Sequence, residues 1–321
     1  MKKIGLIVVL LIVVGGVLFL STGRGEALGG KAQEAETPSK KELFAMDTQM
    51  SVTAYGKNGQ AATEKAIGEI KKLDEEFATN NVKGQIYKVN QEGKGTVEGA
   101  TKEVIGKAID LYSDTEGAFD ITVFPLVEKW GFISKDYAVP KEEELKELLT
   151  LVGSDKIALD KKNGDLSFRR EGMKIDLGGI AKGYTSNRII EIMKEEGITS
   201  GIVSLGGNVQ TLGNKPDGEP WKIGIRNPDP EKEVLGVVKV KDKAVITSGG
   251  YERFFVQEGK TYHHILEPKT GKPAENELVS VTIISEDGML ADGLSTALFV
   301  KGLEGAKEYW QKHGKDFDLI L

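Results

Sequence analysis

The sequence of 321 residues contains no cysteine and only three histidines. The absence of cysteine excludes disulfide scaffolds, thiolate metal sites, cysteine nucleophiles and iron–sulfur clusters. Three histidines are too few for a multi-histidine centre, so any metal should be a hard cation held by oxygen, such as magnesium or calcium. A net basic charge is also missing: 43 Lys and Arg against 49 Asp and Glu give −6. This balance argues against a nucleic-acid binder, while a hydrophobic fraction of 39% is typical of a globular protein.

Charged residues are also absent from residues 4–20, an apolar run that follows Lys2 and Lys3. This pattern predicts an export signal or membrane anchor over residues 1–20, with the remaining chain tethered to the outer face of the cytoplasmic membrane. The residues that follow resemble a lipoprotein processing site, but Gly23 stands where the lipidated cysteine belongs. If Gly23 replaces a natural cysteine, the protein is a lipoprotein. Residues 21–41 are predicted to be a flexible tether that precedes one folded region, residues 42–321.

The folded region alternates strand-like and helical patterns. Helices are predicted at residues 60–78, 101–112, 141–149, 179–194, 289–300 and 304–311. Strands are predicted at residues 50–55, 156–159, 166–169, 202–205, 221–225, 234–240, 244–246, 252–256, 262–266, 278–284 and 317–320. Residues 119–123 are predicted to be a strand or an extended segment. Short turns between the later strands favour antiparallel pairing, and hairpins beside long helices predict an α+β fold with mixed, largely antiparallel sheets.

Three loops contain paired glycines, which allow the protein backbone to approach a ligand closely. Residues 176–184 open a predicted helix, whose N-terminus offers unpaired N–H groups to an anion. The spacings of the P-loop and of the dinucleotide-binding loop are both missing there, and a tight turn capped by Asp176 is the alternative. Residues 204–208 and 247–251 each follow a strand. One such loop is an ordinary turn, but three in one domain indicate a shared site for an extended, phosphate-bearing ligand.

His263 and His264 are adjacent on a predicted strand, so their side chains should point to opposite faces and only one should reach a site. A single histidine suits a general base, and a packed or surface histidine is the alternative. A zinc pair of His264 and Glu267 has too few ligands. Asp292 and Thr296 lie four residues apart and share a helix face, where they could supply half of a magnesium shell. The alternative is an aspartate favoured by the helix dipole beside a packed threonine.

Aromatic residues cluster at Trp130 and Phe132, after the turn at residues 117–122. They could line a pocket for flavin or adenine, although such clusters usually belong to the core.

Taken in order, these segments resemble the ApbE family of FAD:protein FMN transferases over almost all of residues 43–321. The matching parts are residues 46–48, 117–122, 130–132, 176–184, 205–208, 247–249, 251–253, 264–268, 270–271 and 291–296. The resemblance implies that FAD lies in a cleft between two intimately joined lobes. The positions that it matches to FAD contacts are Met46, Ala118, Phe119, Asp120, Asp176, Lys182 and Ile265.

The resemblance also implies a magnesium site formed by the Gly179 carbonyl, Asp292 and Thr296, with His264 as the base. Asn80 aligns where some members place an aromatic ring over the flavin, so stacking there should be weaker or come from elsewhere. The implied reaction is transfer of FMN from FAD to a Ser or Thr hydroxyl of a partner flavoprotein, with release of AMP. Two alternatives stay open: an FAD pyrophosphatase, which would release free FMN, and a non-catalytic flavin-binding surface protein.

Overall fold

The computed structural model describes residues 37–229 and 231–321. The predicted export segment, Gly23 and most of the predicted tether lie outside the described residues. Strand β1 begins at Ser39, three residues before the predicted start of the folded region at residue 42. No helix within the two described ranges is both long enough and apolar enough to cross a membrane.

The helices and strands agree with most of the predicted segments. The helices are α1 (Gly59–Phe77), α2 (Gln85–Glu92), α3 (Gly99–Asp114), α4 (Phe124–Lys129), α5 (Glu142–Leu148), α6 (Ala181–Glu195) and α7 (Gly288–His313). The strands are β1 (Ser39–Ala45), β2 (Thr48–Tyr55), β3 (Lys94–Thr96), β4 (Ile157–Leu159), β5 (Asp165–Phe168), β6 (Ser200–Leu205), β7 (Asn208–Leu212), β8 (Trp221–Arg226), β9 (Val234–Val240), β10 (Ala244–Gly249), β11 (Phe254–Gln257), β12 (Lys260–His263), β13 (Ser280–Ser285) and β14 (Phe317–Ile320).

A seven-stranded sheet forms the centre of the molecule, in the order β1-β2-β6-β7-β10-β13-β14, and every neighbouring pair is antiparallel. Helices α1, α6 and α7 contact each other in turn and cover one face of this sheet. The β8–β9 ribbon covers part of the other face, where Trp221 and Ile223 pack against Val245 and Ile284. The α+β fold with largely antiparallel sheets is therefore confirmed.

A second part of the molecule contains α2 to α5, the small sheet β3-β5-β4 and the β11–β12 hairpin. It is not a separate globule, because one hydrophobic core runs from Ile283 and Leu298 of the first part to Ile105 and Leu166 of the second. The two parts are intimately joined, and burial of this shared apolar surface stabilises both of them.

One segment differs from the sequence-based expectation, and one long helix confirms it in detail. Residues 119–123 are not a strand: a short 3-10 turn at Ile121–Val123 leads directly into α4, which has Pro125 in its first turn. Asp120 caps this turn and proline is favoured at the start of a helix, so local capping decides the conformation. Helix α7 contains Gly302 at φ 69°, so the two predicted helices are confirmed as two helical stretches divided at this glycine.

Two tight hairpin turns lie side by side at one end of the large sheet. Met46 and Asp47 join β1 to β2 with φ values of 47° and 58°, and Gly206 and Gly207 join β6 to β7 with φ values of 63° and 99°. A left-handed conformation at both central residues defines the turn that suits the twist of a hairpin. It is costly for Met46 and Asp47, and such strain is tolerated mainly at functional sites. The N–H of Met46 is held by Asp74 of α1, at 2.9 Å.

Candidate functional site

Asp292 connects two helices and a strand at this end of the sheet. It lies in the second turn of α7 and is only 4% exposed. Its Oδ2 accepts a hydrogen bond from the Gly183 N–H at 2.8 Å, and its Oδ1 accepts one from Asn208 Nδ2 at 2.9 Å. The first turn of α6 therefore faces the carboxylate, whose negative charge is stabilised by the positive end of that helix. Each carboxylate oxygen keeps a further lone pair for another ligand.

Thr296 lies one helical turn beyond Asp292, and its Oγ1 is 3.2 Å from Ser248 Oγ at the end of β10. The turn before α6 comes to the same place, because a Cβ on Gly179 would lie 3.7 Å from Thr296 Oγ1. The structure thus brings together Gly179, Asp292 and Thr296, the three positions to which the family resemblance assigned a magnesium ion.

The donors at this place suit a hard cation. A carboxylate, a hydroxyl and a backbone carbonyl are all oxygen ligands of the kind that magnesium prefers. Over residues 37–229 and 231–321, no three His, Asp or Glu side chains gather as a metal site. A magnesium ion here would therefore keep water or take phosphate oxygens from a ligand, as this ion commonly does.

His264 is held by the backbone of a neighbouring segment. Its N–H donates to the carbonyl of Arg253 at 3.0 Å, and its Nδ1 lies 3.2 Å from the same oxygen. Because Nδ1–H must be the donor to a carbonyl, Nε2 is left as the basic nitrogen of the neutral ring. Withdrawal from water, together with the positive charge of Arg253, lowers the pKa of His264 to about 3. The ring is therefore neutral at physiological pH and able to accept a proton.

His263 has a different environment, although β12 ends at His263 and His264 lies beyond the strand, so the predicted strand over residues 262–266 does not separate them. Its Nε2 lies 3.0 Å from the carbonyl of Ala274, and its ring meets Phe299 edge-on with centroids 5.5 Å apart. Burial lowers the pKa of His263. This histidine belongs to the packing of the lobe, whereas the pKa of His264 responds to the charges of Arg253 and Lys182.

The aromatic cluster supports the hairpin that leads to His264. The indole N–H of Trp130 donates to the Gly271 carbonyl at 2.8 Å, and Phe255 of β11 stacks on Tyr262 of β12 at 5.2 Å and on Tyr137 at 5.0 Å. Trp130 is buried among these rings. The core alternative is therefore the better description of the cluster, although its edge at Phe132 reaches the His264 ring, with centroids 6.3 Å apart.

Residues 118–120 lie against the turn before α6. The Phe119 ring is buried, and its Cε2 would be 3.1 Å from a Cβ on Gly179, so the ring covers this turn closely. Asp120 is also buried, and its carboxylate accepts hydrogen bonds from the backbone and hydroxyl groups of Thr122 and Ser154. Burial raises the pKa of Asp120, and these hydrogen bonds oppose that shift. Its carboxylate holds the loop in place, and Ala118 beside it is partly buried against the core.

Charged side chains line the space between this turn and His264. Asp176 accepts a hydrogen bond from the Gly178 N–H at 2.9 Å, and Lys182 donates to the Gly178 carbonyl at 3.2 Å. Withdrawal from water raises the pKa of Asp176, against the influence of Arg253 and Lys182. The same cause raises the pKa of Glu252, which also senses the charge of Asp292. These groups form one electrostatic neighbourhood, which includes His264 at one end and Asp292 at the other.

Three further positions were predicted to contact FAD, and the structure gives each a different environment. Met46 is half-buried in its strained turn, with its sulfur 3.9 Å from Thr185 Oγ1 of α6. Ile265 is buried next to His264, and its carbonyl accepts from the Ala274 N–H. Asn80 is exposed in the loop after α1.

Three residues of the site were not among the predicted site residues. Asn208 orients Asp292, Ser248 contacts Thr296, and Arg253 supplies both the carbonyl that orients His264 and a nearby positive charge. Each lies inside a segment of the family resemblance, at residues 205–208, 247–249 and 251–253. The predictions from those segments used their glycines and their order. The polar residues within them were the signal that would have indicated the additional site residues.

The α+β fold places oxygen ligands beside a helix N-terminus, an arrangement that suits a phosphate-bearing ligand together with a hard cation. A model of the ApbE family matches residues 46–321, and the chain belongs to this family. The FAD:protein FMN transferase of Klebsiella pneumoniae is 33% identical over 251 residues, which cover 76% of this chain and 77% of that protein. The FAD:protein FMN transferase of Treponema pallidum is 32% identical, over 86% of this chain and 82% of that protein.

Solved structures agree with this assignment. The crystal structure of the ApbE protein from Thermotoga maritima has a TM-score of 0.82 and 34% identity, with 88% of this chain and 93% of that one covered. The flavin transferase ApbE from Vibrio cholerae has a TM-score of 0.79 and 28% identity, with the same coverage.

Proposed function

We propose that this protein is a magnesium-dependent FAD:protein FMN transferase. The observation that carries the proposal is the convergence of Gly179, Asp292 and Thr296 at the first turn of α6. His264, with a free Nε2, belongs to the same electrostatic neighbourhood. Membership of a family whose relatives are flavin transferases supports the same conclusion.

The proposed reaction is a phosphoryl transfer to protein. The oxygen of a Ser or Thr hydroxyl on the partner attacks the FMN-side phosphorus of FAD and forms a phosphoester bond. The bond from that phosphorus to the bridging oxygen breaks, and AMP leaves with this oxygen. The proton of the hydroxyl passes to His264 Nε2, and general-base catalysis of this kind contributes roughly 10²–10⁴-fold to a rate.

The residues around the pyrophosphate share the remaining tasks. Asp292, Thr296 and the Gly179 carbonyl would hold magnesium, which supplies charge stabilisation to the phosphate oxygens when it is bound. Lys182 adds a positive charge on the same side of the cleft. Asp120 fixes the loop that covers the turn at Gly179, and Arg253 orients His264 through its carbonyl.

The apolar N-terminal run supports a location outside the cytoplasmic membrane, with the chain tethered to its outer face. An enzyme there would act on exported flavoproteins. The choice between an anchor, a cleaved signal and a lipoprotein is decided by mass spectrometry of the mature N-terminus of the natural protein.

The proposed activity is tested by incubation of the protein with FAD, magnesium and an acceptor flavoprotein domain, followed by intact mass measurement of the acceptor. We expect one FMN to be covalently attached and one AMP to be released for each acceptor modified. Free FMN with unmodified acceptor would instead identify an FAD pyrophosphatase. Bound FAD without any AMP would identify a flavin-binding protein without catalysis. The same reaction with His264→Gln should retain FAD binding and lose attachment.

A further inference from the structure

The β8–β9 ribbon has one face on the large sheet and one face in solvent. Trp221, Ile223 and Ile225 of β8 point inward and are buried, and the residues between them are exposed. The outer face is formed by the alternate positions of β8 and by their partners on β9, with a bulge between Ile225 and Arg226. Nothing in the described residues covers this outer face.

The centre of the outer face is apolar and flat. Val234 and Val237 of β9 are 50% and 58% exposed, and Val237 pairs with Gly224. A Cβ on Gly224 would lie 3.0 Å from Val234 Cγ1, so the valine side chain lies across the glycine. A glycine between two exposed valines leaves a shallow apolar surface that another chain can approach closely.

The charge of the ribbon is opposite to that of the whole protein. Every charged residue within the two strands is a cation, namely Lys222, Arg226 and Lys239, whereas the full chain has a formal charge of −6. Lys222 and Lys239 form a cross-strand pair, and Arg226 lies at the other end of the apolar centre. Among the described residues, none of the three forms an ion pair. Two like charges placed opposite each other are unfavourable unless an anionic partner approaches them.

The outer strand also has a free edge. Within residues 37–229 and 231–321, β9 pairs with β8 alone, so the backbone groups on its other side are available. Exposed apolar edge strands promote unwanted pairing and are normally covered or interrupted. An extended peptide can add to such an edge through main-chain hydrogen bonds, with side-chain contacts that give specificity.

The ribbon leads directly to the catalytic cleft. Arg226, at the end of β8, lies over the ring of Tyr251 at 5.6 Å, and Tyr251 begins the segment that continues through Glu252 to Arg253. Arg253 in turn holds His264 through its carbonyl. A peptide that follows the β9 edge toward Val234 therefore reaches the end of the ribbon that adjoins the base.

We propose that the outer face and free edge of the β8–β9 ribbon are the docking surface for the acceptor protein. The acceptor presents an extended segment with apolar side chains flanked by acidic ones, and its Ser or Thr enters the cleft beyond Arg226. This inference rests on the proposed transferase function, and adds the part of the enzyme that recognises the protein substrate.

The test compares steady-state transfer by the wild-type protein and by two variants, Val237→Glu and the double variant Lys222→Glu/Lys239→Glu. We expect the KM for the acceptor to rise at least about tenfold in both, since each variant removes apolar contact or charge complementarity. The dissociation constant of FAD should not change. The salt dependence of the acceptor KM should weaken in the double variant, because steering by the cations is lost.

Matched controls place the same substitutions elsewhere. Leu321→Glu changes an apolar side chain of 39% exposure at the chain end, and Lys94→Glu reverses a charge on β3 of the small sheet. Neither should alter the acceptor KM. Thermal unfolding of all variants establishes that they are folded.

Three results would overturn the docking surface while leaving the transferase function intact. The first is an unchanged acceptor KM in both ribbon variants. The second is a self-associated wild-type protein that Val237→Glu converts to a monomer without effect on the acceptor KM, which would assign the ribbon to a second copy. The third is a wild-type protein that binds vesicles of anionic phospholipid and ribbon variants that lose this binding, without effect on the acceptor KM. Failure of the wild-type protein to attach flavin to any acceptor would overturn the proposed function and the docking surface together.

Discussion

Asp292 joins the fold to the proposed metal site. It is buried, and both of its oxygens accept hydrogen bonds from fixed donors, the Gly183 N–H and Asn208 Nδ2. These donors keep the carboxylate in a single orientation. Groups that orient a metal ligand in this way commonly contribute as much as tenfold to a hundredfold to metal affinity.

The first prediction concerns Asn208, which orients the proposed metal ligand without contacting the metal. Asn208→Ala should raise the magnesium concentration for half-maximal transfer about tenfold to a hundredfold, because Asp292 loses one of its two fixed donors. The rate at saturating magnesium should change less. The measurement is a magnesium titration of the transfer rate, with FAD and acceptor saturating. An unchanged magnesium requirement would show that this hydrogen bond has no influence on the metal site.

The second prediction concerns the protonation of His264. The pKa of His264 in the free protein is lowered to about 3. Protonation of His264 should therefore not lower kcat/KM for FAD as the pH falls from about 8 to about 5. A bound pyrophosphate brings negative charge, which favours the imidazolium, so the acid limb of kcat should lie at higher pH than that of kcat/KM. An acid limb of kcat/KM near the ordinary histidine value would contradict this assignment.

Arg253→Gln provides a matched probe of the same effect. The carbonyl that orients His264 remains, and the positive charge that lowers its pKa is removed. The acid limb of kcat/KM should therefore move to higher pH, which a merely structural role for Arg253 would not produce.

At the scale of elements, the site depends on how closely α6 approaches α7. A Cβ on Gly183 would lie 2.6 Å from Asp292 Cβ and even closer to the Gly288 carbonyl, so only glycine fits between the two helices. This contact puts the first turn of α6 against the carboxylate. The glycine-rich segment at residues 176–184 therefore includes one position, Gly183, that is required for helix packing.

The third prediction uses this contact. Gly183→Ala should force α6 and α7 apart, and it should lower both the unfolding free energy, by about 1–3 kcal/mol, and the transfer rate. Gly68→Ala is the matched control: Gly68 lies within α1, and no other group is within 4 Å of its Cβ position. That substitution should be neutral or stabilising by up to about 1 kcal/mol, since alanine favours helix. Urea unfolding and the transfer assay measure both effects. Equal stability of the two variants would mean that the α6–α7 contact is not tight.

At the scale of the whole molecule, the order of the motifs along the chain predicted more than their spacing did. Each motif taken alone had an ordinary structural alternative. This was true of the glycine loops, of the adjacent histidines, and of Asp292 and Thr296 four residues apart. Their sequence order identified the family and, through it, the fold class that the structure confirms. Helices with a clear apolar face, such as α1 and α3, were predicted within two residues at most ends.

The parts that sequence reasoning missed depend on long-range contacts. Strand β1 carries little apolar alternation and is defined by its pairing with β2. Strand β7 follows a two-residue turn of glycines, and the sequence analysis predicted no strand over its residues. Residues 119–123 contain strand-like side chains, yet the cap from Asp120 and contacts to Ser154, 34 residues away, fix a turn. No local pattern reports such partners.

The proposed transferase function depends on a divalent cation held between the turn at Gly179 and the helix that carries Asp292 and Thr296. The structure places Gly179 beside Thr296 and the first turn of α6 against Asp292. Under the proposed function, the pyrophosphate of FAD would lie beside these residues.

The most direct test is the rate of covalent flavin attachment as a function of magnesium concentration, measured by intact mass for the wild-type protein, Asp292→Asn and the surface control Asp110→Asn. For the wild-type protein and the control, we predict no attachment in excess chelator and full recovery when magnesium is restored. For Asp292→Asn, we predict a rate at least roughly a hundredfold lower at every magnesium concentration, since the metal supplies several kcal/mol of charge stabilisation. Undiminished attachment by Asp292→Asn, or by the wild-type protein in chelator, would contradict the account.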